Sequence, residues 1–138
     1  MDIRKINDSI SVAPQIAPED MTAIAELGFR TVINNRPDGE APDQAPAARM
    51  EEAARAAGLD YRFVPVISGQ LTRDNVDDFA ATMAEVEGPV LAYCRSGTRS
   101  ATLWALSQAG KVPADEIVGQ AAEAGYDMSP FRAALERG

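Results

Sequence analysis

Gly88-Pro89-Val90-Leu91-Ala92-Tyr93-Cys94-Arg95-Ser96-Gly97-Thr98-Arg99-Ser100 decides how the rest of the chain is read. Pro89 to Tyr93 is a short apolar run behind a Gly-Pro break, the pattern of a buried strand. The run empties at Cys94, the only cysteine, into a loop with two arginines, a glycine and three hydroxyl residues. Ala101-Thr102-Leu103-Trp104-Ala105-Leu106 then reads as a helix. A strand that passes through such a loop into a helix N-terminus leaves a ring of backbone N–H groups unpaired. The helix dipole is positive at this end, so the ring binds anions. The same field, with Arg95 and Arg99 beside it, favours the thiolate of Cys94, the nucleophilic form. Packing alone would want a small hydrophobe here and gives no reason for two adjacent guanidinium groups.

Outward from this stretch, strands and helices alternate. Ser9 to Val12 and Phe29 to Asn34 read as strands, the second rich in β-branched residues, and Tyr61 to Val64 as another. Helices are predicted from Pro18 to Leu27, stopped by Gly28, and from Ala47 to Ala57, stopped by Gly58. Thr72 caps the next, on which Val76, Phe79, Ala80, Met83 and Val86 repeat at helical spacing. Two more follow, Pro113 to Glu123 and Phe131 to Glu136, the latter with Ser129 as its cap. This order predicts an α/β domain over residues 1–138: three layers, a mostly parallel sheet of four to five strands, helices on both faces. Ligands then sit beyond the carboxyl ends of the strands. Arg36 to Glu40, Ile67 to Gln70 and Cys94 to Ser100 converge there. Arg36, Asp38 and Glu40 are candidates to support the cysteine loop, against the plainer reading of a turn with Arg36 paired to Asp38 or Glu40.

Composition narrows the chemistry. The chain has 138 residues, a net charge of −8 and no histidine. An acidic protein argues against nucleic acid or an anionic membrane as partner. One cysteine allows no internal disulfide and fits a reducing, cytoplasmic setting, and Met1 to Lys5 does not begin a signal peptide. Without histidine the usual zinc sites and His-based triads are excluded, and no metal or cofactor is called for. Thiol, guanidinium, carboxylate and hydroxyl groups remain.

The frame from Pro18 through Gly28-Phe29-Arg30-Thr31-Val32-Ile33-Asn34-Asn35-Arg36-Pro37-Asp38-Gly39-Glu40 resembles the start of a dual-specificity-phosphatase-like fold. Together with Gly88 to Ser100 it resembles the bacterial phosphatase-like domain (DUF442) found in beta-lactamase hydrolase-like proteins, over nearly the whole chain. That resemblance implies a cysteine-phosphatase-like α/β domain with Cys94 as nucleophile at the loop base. Two departures from the cysteine-phosphatase pattern stand out. Those enzymes place His before Cys and five residues between Cys and Arg, whereas Tyr93 precedes Cys94 here and four residues separate it from Arg99. The spacing Cys-Arg-x-Gly-x-Arg instead resembles the loop of rhodanese-type sulfurtransferases. The phosphatases also protonate their leaving group with an Asp on an upstream loop, and Ile67 to Leu71 holds no acid.

Both departures favour sulfur transfer, in which Cys94 carries sulfane sulfur as a persulfide and the leaving group is already a stable anion. In that reading Cys94 and Arg99 are catalytic, and Arg95, Ser96, Gly97, Thr98 and Ser100 bind the anion. Its partners are a small anionic sulfur donor and a persulfide-oxidising enzyme. The alternative is a phosphatase acting on a phosphate ester through a Cys94 phospho-intermediate. A third reading is a non-catalytic anion-binding or redox-sensing module, against which the lack of a resolving cysteine counts.

Overall fold

The computed structural model describes all 138 residues. Five strands form one sheet: β1 (Arg4–Lys5), β2 (Ile10–Ala13), β3 (Thr31–Asn34), β4 (Asp60–Phe63) and β5 (Val90–Tyr93). Their order is β1-β2-β5-β3-β4, parallel throughout except for β1, which runs antiparallel to β2 at the edge. The cysteine strand is therefore central, flanked by β2 and β3, with Tyr93 opposite Ala13 on one side and Asn34 on the other. Two-residue β1 was not predicted, because a pair of charged residues carries no alternation to read.

The helices are α1 (Met21–Glu26), α2 (Ala47–Ala56), α3 (Arg73–Glu85), α4 (Thr98–Ser107), α5 (Ala114–Glu123) and α6 (Arg132–Arg137). Side-chain alternation along β5 divides them between the two faces. Leu91 and Tyr93 pack with Met21 and Ile24 of α1 and Met50 and Ala54 of α2. Val90 and Ala92 pack with Val76 and Phe79 of α3, Leu103 of α4, Ile117 of α5 and Leu135 of α6. Helix α4 is buried along most of its length, Ala101 and Leu103 to zero exposure, and after Arg99 it carries only small hydroxyl residues and apolar ones. The cysteine loop thus joins a fully buried strand to the most buried of the helices.

Thr72 caps α3 as expected: its hydroxyl accepts from the Asn75 N–H, and the Asn75 side chain accepts from the Thr72 N–H. Ser129 does not cap the last helix. It opens a 3-10 turn, Ser129–Phe131, and its own N–H donates to the Asp127 carboxylate, because Pro130 fits the first turn of either helix type.

Candidate active site

Cys94 leaves the end of β5 fully buried, its N–H donating to the Ala13 carbonyl of β2. The chain then turns at Gly97, whose φ of 90° lies in the left-handed region, and enters α4 at Thr98. This turn brings the Gly97 N–H back onto the thiol, 3.2 Å from Cys94 Sγ. A donor so placed stabilises sulfur that carries negative charge. The Thr98 N–H meets the Ser96 hydroxyl at 3.4 Å, while Arg95, Ser96, Arg99 and Ser100 give their N–H groups to no acceptor in the protein. The expected ring of donors is therefore present in part. Four remain for an anion, and Gly97 serves the sulfur itself. Gly97 also has no room for a side chain, since a Cβ would overlap the hydroxyl of Tyr126, which donates to the Ser96 carbonyl. Gly97→Ala should lower stability by about 1–3 kcal/mol through backbone strain, seen as a reduced urea midpoint. A midpoint equal to that of the native protein would mean that the turn relaxes freely.

Arg99 lies in the first turn of α4, and its guanidinium is clamped. Nη1 and Nη2 donate to the two oxygens of Glu40 at 2.8 Å each, and Nη1 also donates to the Val66 carbonyl at 2.8 Å. Nε and one Nη2 hydrogen meet no oxygen acceptor in the protein, and the Cys94 sulfur is the neighbouring group on that side of the guanidinium. The Glu40 pair raises the Arg99 pKa first and foremost, burial opposes it, and Cys94 adds to the rise by its charge. Glu40 also accepts from Arg36 Nε at 2.9 Å. Held by Arg99 above all and by Arg36, against the cost of burial, its carboxyl falls to about 2. Arg36 is only 4% exposed and donates through Nη1 to Gln15. One carboxylate thus fixes two arginines from separate strand ends, and the plainer expectation for Arg36 is met by Glu40.

Asp38 is a correction. Its carboxylate accepts from the Ala47 N–H and so holds the start of α2, and it makes no hydrogen bond to the cysteine loop. Ser100 is a second, partial one. Its side chain is fully buried and donates to Asn35 Oδ1 at 2.7 Å, leaving only its backbone N–H for an anion. Asn35 in turn donates to the Val64 carbonyl, which ties α4 to the ends of β3 and β4. Tyr93 points away from the thiol. Its hydroxyl lies 3.1 Å from that of Tyr61, which accepts from Asn34, and burial drives the Tyr93 pKa strongly upward. Asn35 and Gln15 were not singled out from sequence, although an Asn-Asn pair closing a β-branched strand is a signal that both polar groups have work at the sheet's end.

The family model for the phosphatase-like domain of beta-lactamase hydrolase-like protein matches residues 2–111. A beta-lactamase hydrolase-like protein of Agrobacterium fabrum is 38% identical over 135 residues, which cover 96% of this chain and 31% of that protein. One from Xylella fastidiosa is 38% identical over 139 residues, 99% of this chain and 32% of the relative. The chain thus spans about a third of the length of the curated relatives it matches. Among solved structures, a protein of Neisseria meningitidis provisionally named a phosphatase superposes with a TM-score of 0.86 at 35% identity, covering 99% of this chain and 98% of that one. The core catalytic domain of a PP-IP phosphatase from S. cerevisiae superposes at 0.71 with 12% identity, over 99% and 84% of the two chains. At that identity the likeness shows the fold alone, and the fold is that of the cysteine-based phosphatases.

Proposed function

The chain belongs to the family of phosphatase-like domains of beta-lactamase hydrolase-like proteins, and from that premise we propose that it is a cysteine-dependent phosphatase acting on phosphate esters with good leaving groups. The observation that carries this reading is the pairing of the buried Cys94 sulfur, faced by the Gly97 N–H, with an Arg99 guanidinium locked in place by Glu40. Sγ attacks phosphorus and the bond to the leaving oxygen breaks, its electron pair departing with that oxygen. The phosphoryl oxygens accept from the open N–H groups of Arg95, Ser96, Arg99 and Ser100 and from the unpaired Arg99 hydrogens. Water then attacks phosphorus, the P–S bond breaks to return the thiolate, and inorganic phosphate and a proton leave.

Sulfur transfer is the second reading. It is favoured by four residues, rather than five, between Cys94 and Arg99, by the lack of an acid from Ile67 to Leu71, and by the commitment of Asp38 and Glu40 to other partners. Mass spectrometry of rapidly quenched protein separates the two. Incubation with p-nitrophenyl phosphate should place one phosphoryl group on Cys94. One added sulfur after thiosulfate, with no phosphoryl adduct and no Cys94-dependent release of p-nitrophenol, would replace the phosphatase reading with the sulfurtransferase one.

A further inference from the structure

Beside the cysteine loop, on the α1 and α2 side of the sheet, lies an open cavity of about 780 Å³. Its wall nearest the thiol is formed by Arg95 and by Gln15, whose N–H donates to the Arg95 carbonyl. The volume falls within the range of small-molecule sites, about 300–1,000 Å³. The proposed hydrolysis leaves the cavity unused, since the phosphoryl group sits on the loop itself.

Its floor contains an unusual donor. Arg36 lines the cavity with its side chain 95% buried, Nε engaged by Glu40 and Nη1 by Gln15. Nη2 makes no hydrogen bond within the protein. Every fully buried side-chain nitrogen and oxygen does have a partner, so Nη2 is not fully enclosed, and Arg36 is one of the residues that line the cavity. A buried guanidinium nitrogen left open at the bottom of a cavity is a donor without an acceptor. At the lip, Arg95 is exposed and forms no ion pair or side-chain hydrogen bond, and Arg49 faces only a loose contact at 3.9 Å with Glu19.

The lining also bears carboxylates. Asp20 is occupied by the Ala17 N–H, and Glu19 stands against Arg49. Asp43 is exposed and pairs with nothing in the protein, so its charge is the least compensated of the three carboxylates facing an incoming anion. Arg36, Arg49 and Arg95 offset Glu19, Asp20 and Asp43, so the lining is neutral as a whole, and the open Arg36 donor leaves a place for one further anionic group and not for a highly charged chain.

We propose that this cavity binds a second anionic group of the substrate, so that the molecule hydrolysed is a bis-anion: a phosphate ester whose leaving group carries its own phosphate or carboxylate. This rests on the phosphatase reading of Cys94. The reacting phosphoryl group occupies the cysteine loop, and the distal anion accepts from Arg36 Nη2 at the floor with Arg95 at the lip. Arginine suits the task because its planar donors match carboxylate and phosphate oxygens.

Non-hydrolysable phosphonates test the binding without turnover. Methylphosphonate and a series of α,ω-alkane bisphosphonates of increasing length would be titrated calorimetrically into the full chain. At the best length, the bisphosphonate should bind at least about tenfold more tightly than methylphosphonate. Arg95→Gln should reduce that ratio several-fold, and Asp43→Asn should raise it, whereas Arg30→Gln at the opposite end of the sheet should leave it unchanged. The rise on Asp43→Asn is a result that loss of structure would not produce. Equal binding of the two ligands, or a ratio indifferent to both Arg95 and Asp43, would overturn the proposal. Turnover of p-nitrophenyl phosphate, assayed separately, keeps the two ideas apart. Turnover without the bisphosphonate preference overturns the cavity assignment alone, and the preference without turnover overturns the phosphatase reading alone.

Discussion

An aryl phosphate should be hydrolysed about a thousandfold faster, in kcat/KM, than an alkyl phosphate such as phosphoserine. General acid catalysis of leaving-group departure is worth about 10²–10⁴-fold, and an alkoxide needs it far more than a phenoxide does. The three carboxylates on the Arg36 to Glu40 turn and at the start of α3 are each otherwise committed or misplaced. Asp38 accepts from the Ala47 N–H at 2.8 Å. Glu40, with its carboxyl down at about 2, holds no proton to give at neutral pH. Asp74 sits exposed in the first turn of α3, where a carboxylate complements the helix dipole. Both substrates would be assayed on the native protein and on Cys94→Ser, which should abolish turnover of each. Phosphoserine hydrolysis within tenfold of the aryl rate, dependent on Cys94, would mean that an acid reaches the site and that the leaving-group restriction is wrong.

That expectation also measures what sequence could reveal. Cys94 to Ser100 was legible because chemistry and backbone pattern coincide there: an apolar run, a lone thiol, glycine, arginines and then a helix. The mostly parallel sheet with helices on both faces followed from the alternation of elements, whereas the central place of the cysteine strand shows only in the fold. What stayed hidden were partnerships across long separations. Glu40 and Arg99 are 59 positions apart, and nothing local distinguishes Glu40 from Asp38 as the residue that would reach Arg99. Both lie in the same polar turn, and only the path of the chain from β3 into α2 sends one to a helix start and the other to a guanidinium. Asn35 escaped for the same reason: its acceptor role toward Ser100 spans 65 positions. Sulfur transfer ranked first in the sequence reading because loop length and the missing acid are local features. Kinship with the phosphatase-like domains, carried by the whole chain, reverses that order.

Glu40→Gln should lower kcat/KM by about a hundredfold while leaving Cys94 and its loop residues in place. Removing the negative charge leaves Arg36 and Arg99 repelling one another with neutral hydrogen bonds at best, so Arg99 loses the bidentate hold that aims it. Pre-orientation of such a donor is worth about 2.7–4 kcal/mol where one oxyanion contact has been removed from an enzyme. The same carboxylate has a signature in stability. Its folded pKa, about 2, is below the ordinary 4.5, so it stabilises the fold fully above about 4.5 and loses that contribution as pH falls from there toward 2. The shift corresponds to about 3 kcal/mol at most, and nearer 1 kcal/mol once solvent screening of the carboxylate's exposed edge is allowed for. Urea midpoints of the native protein and of Glu40→Gln, compared from pH 7 down to pH 3, should therefore converge as pH drops, because the variant has no carboxylate to protonate. A gap that stays constant over that range would place the stabilising charge elsewhere. Undiminished kcat/KM in the variant would show that the Val66 carbonyl and the packing of α4 hold Arg99 without Glu40.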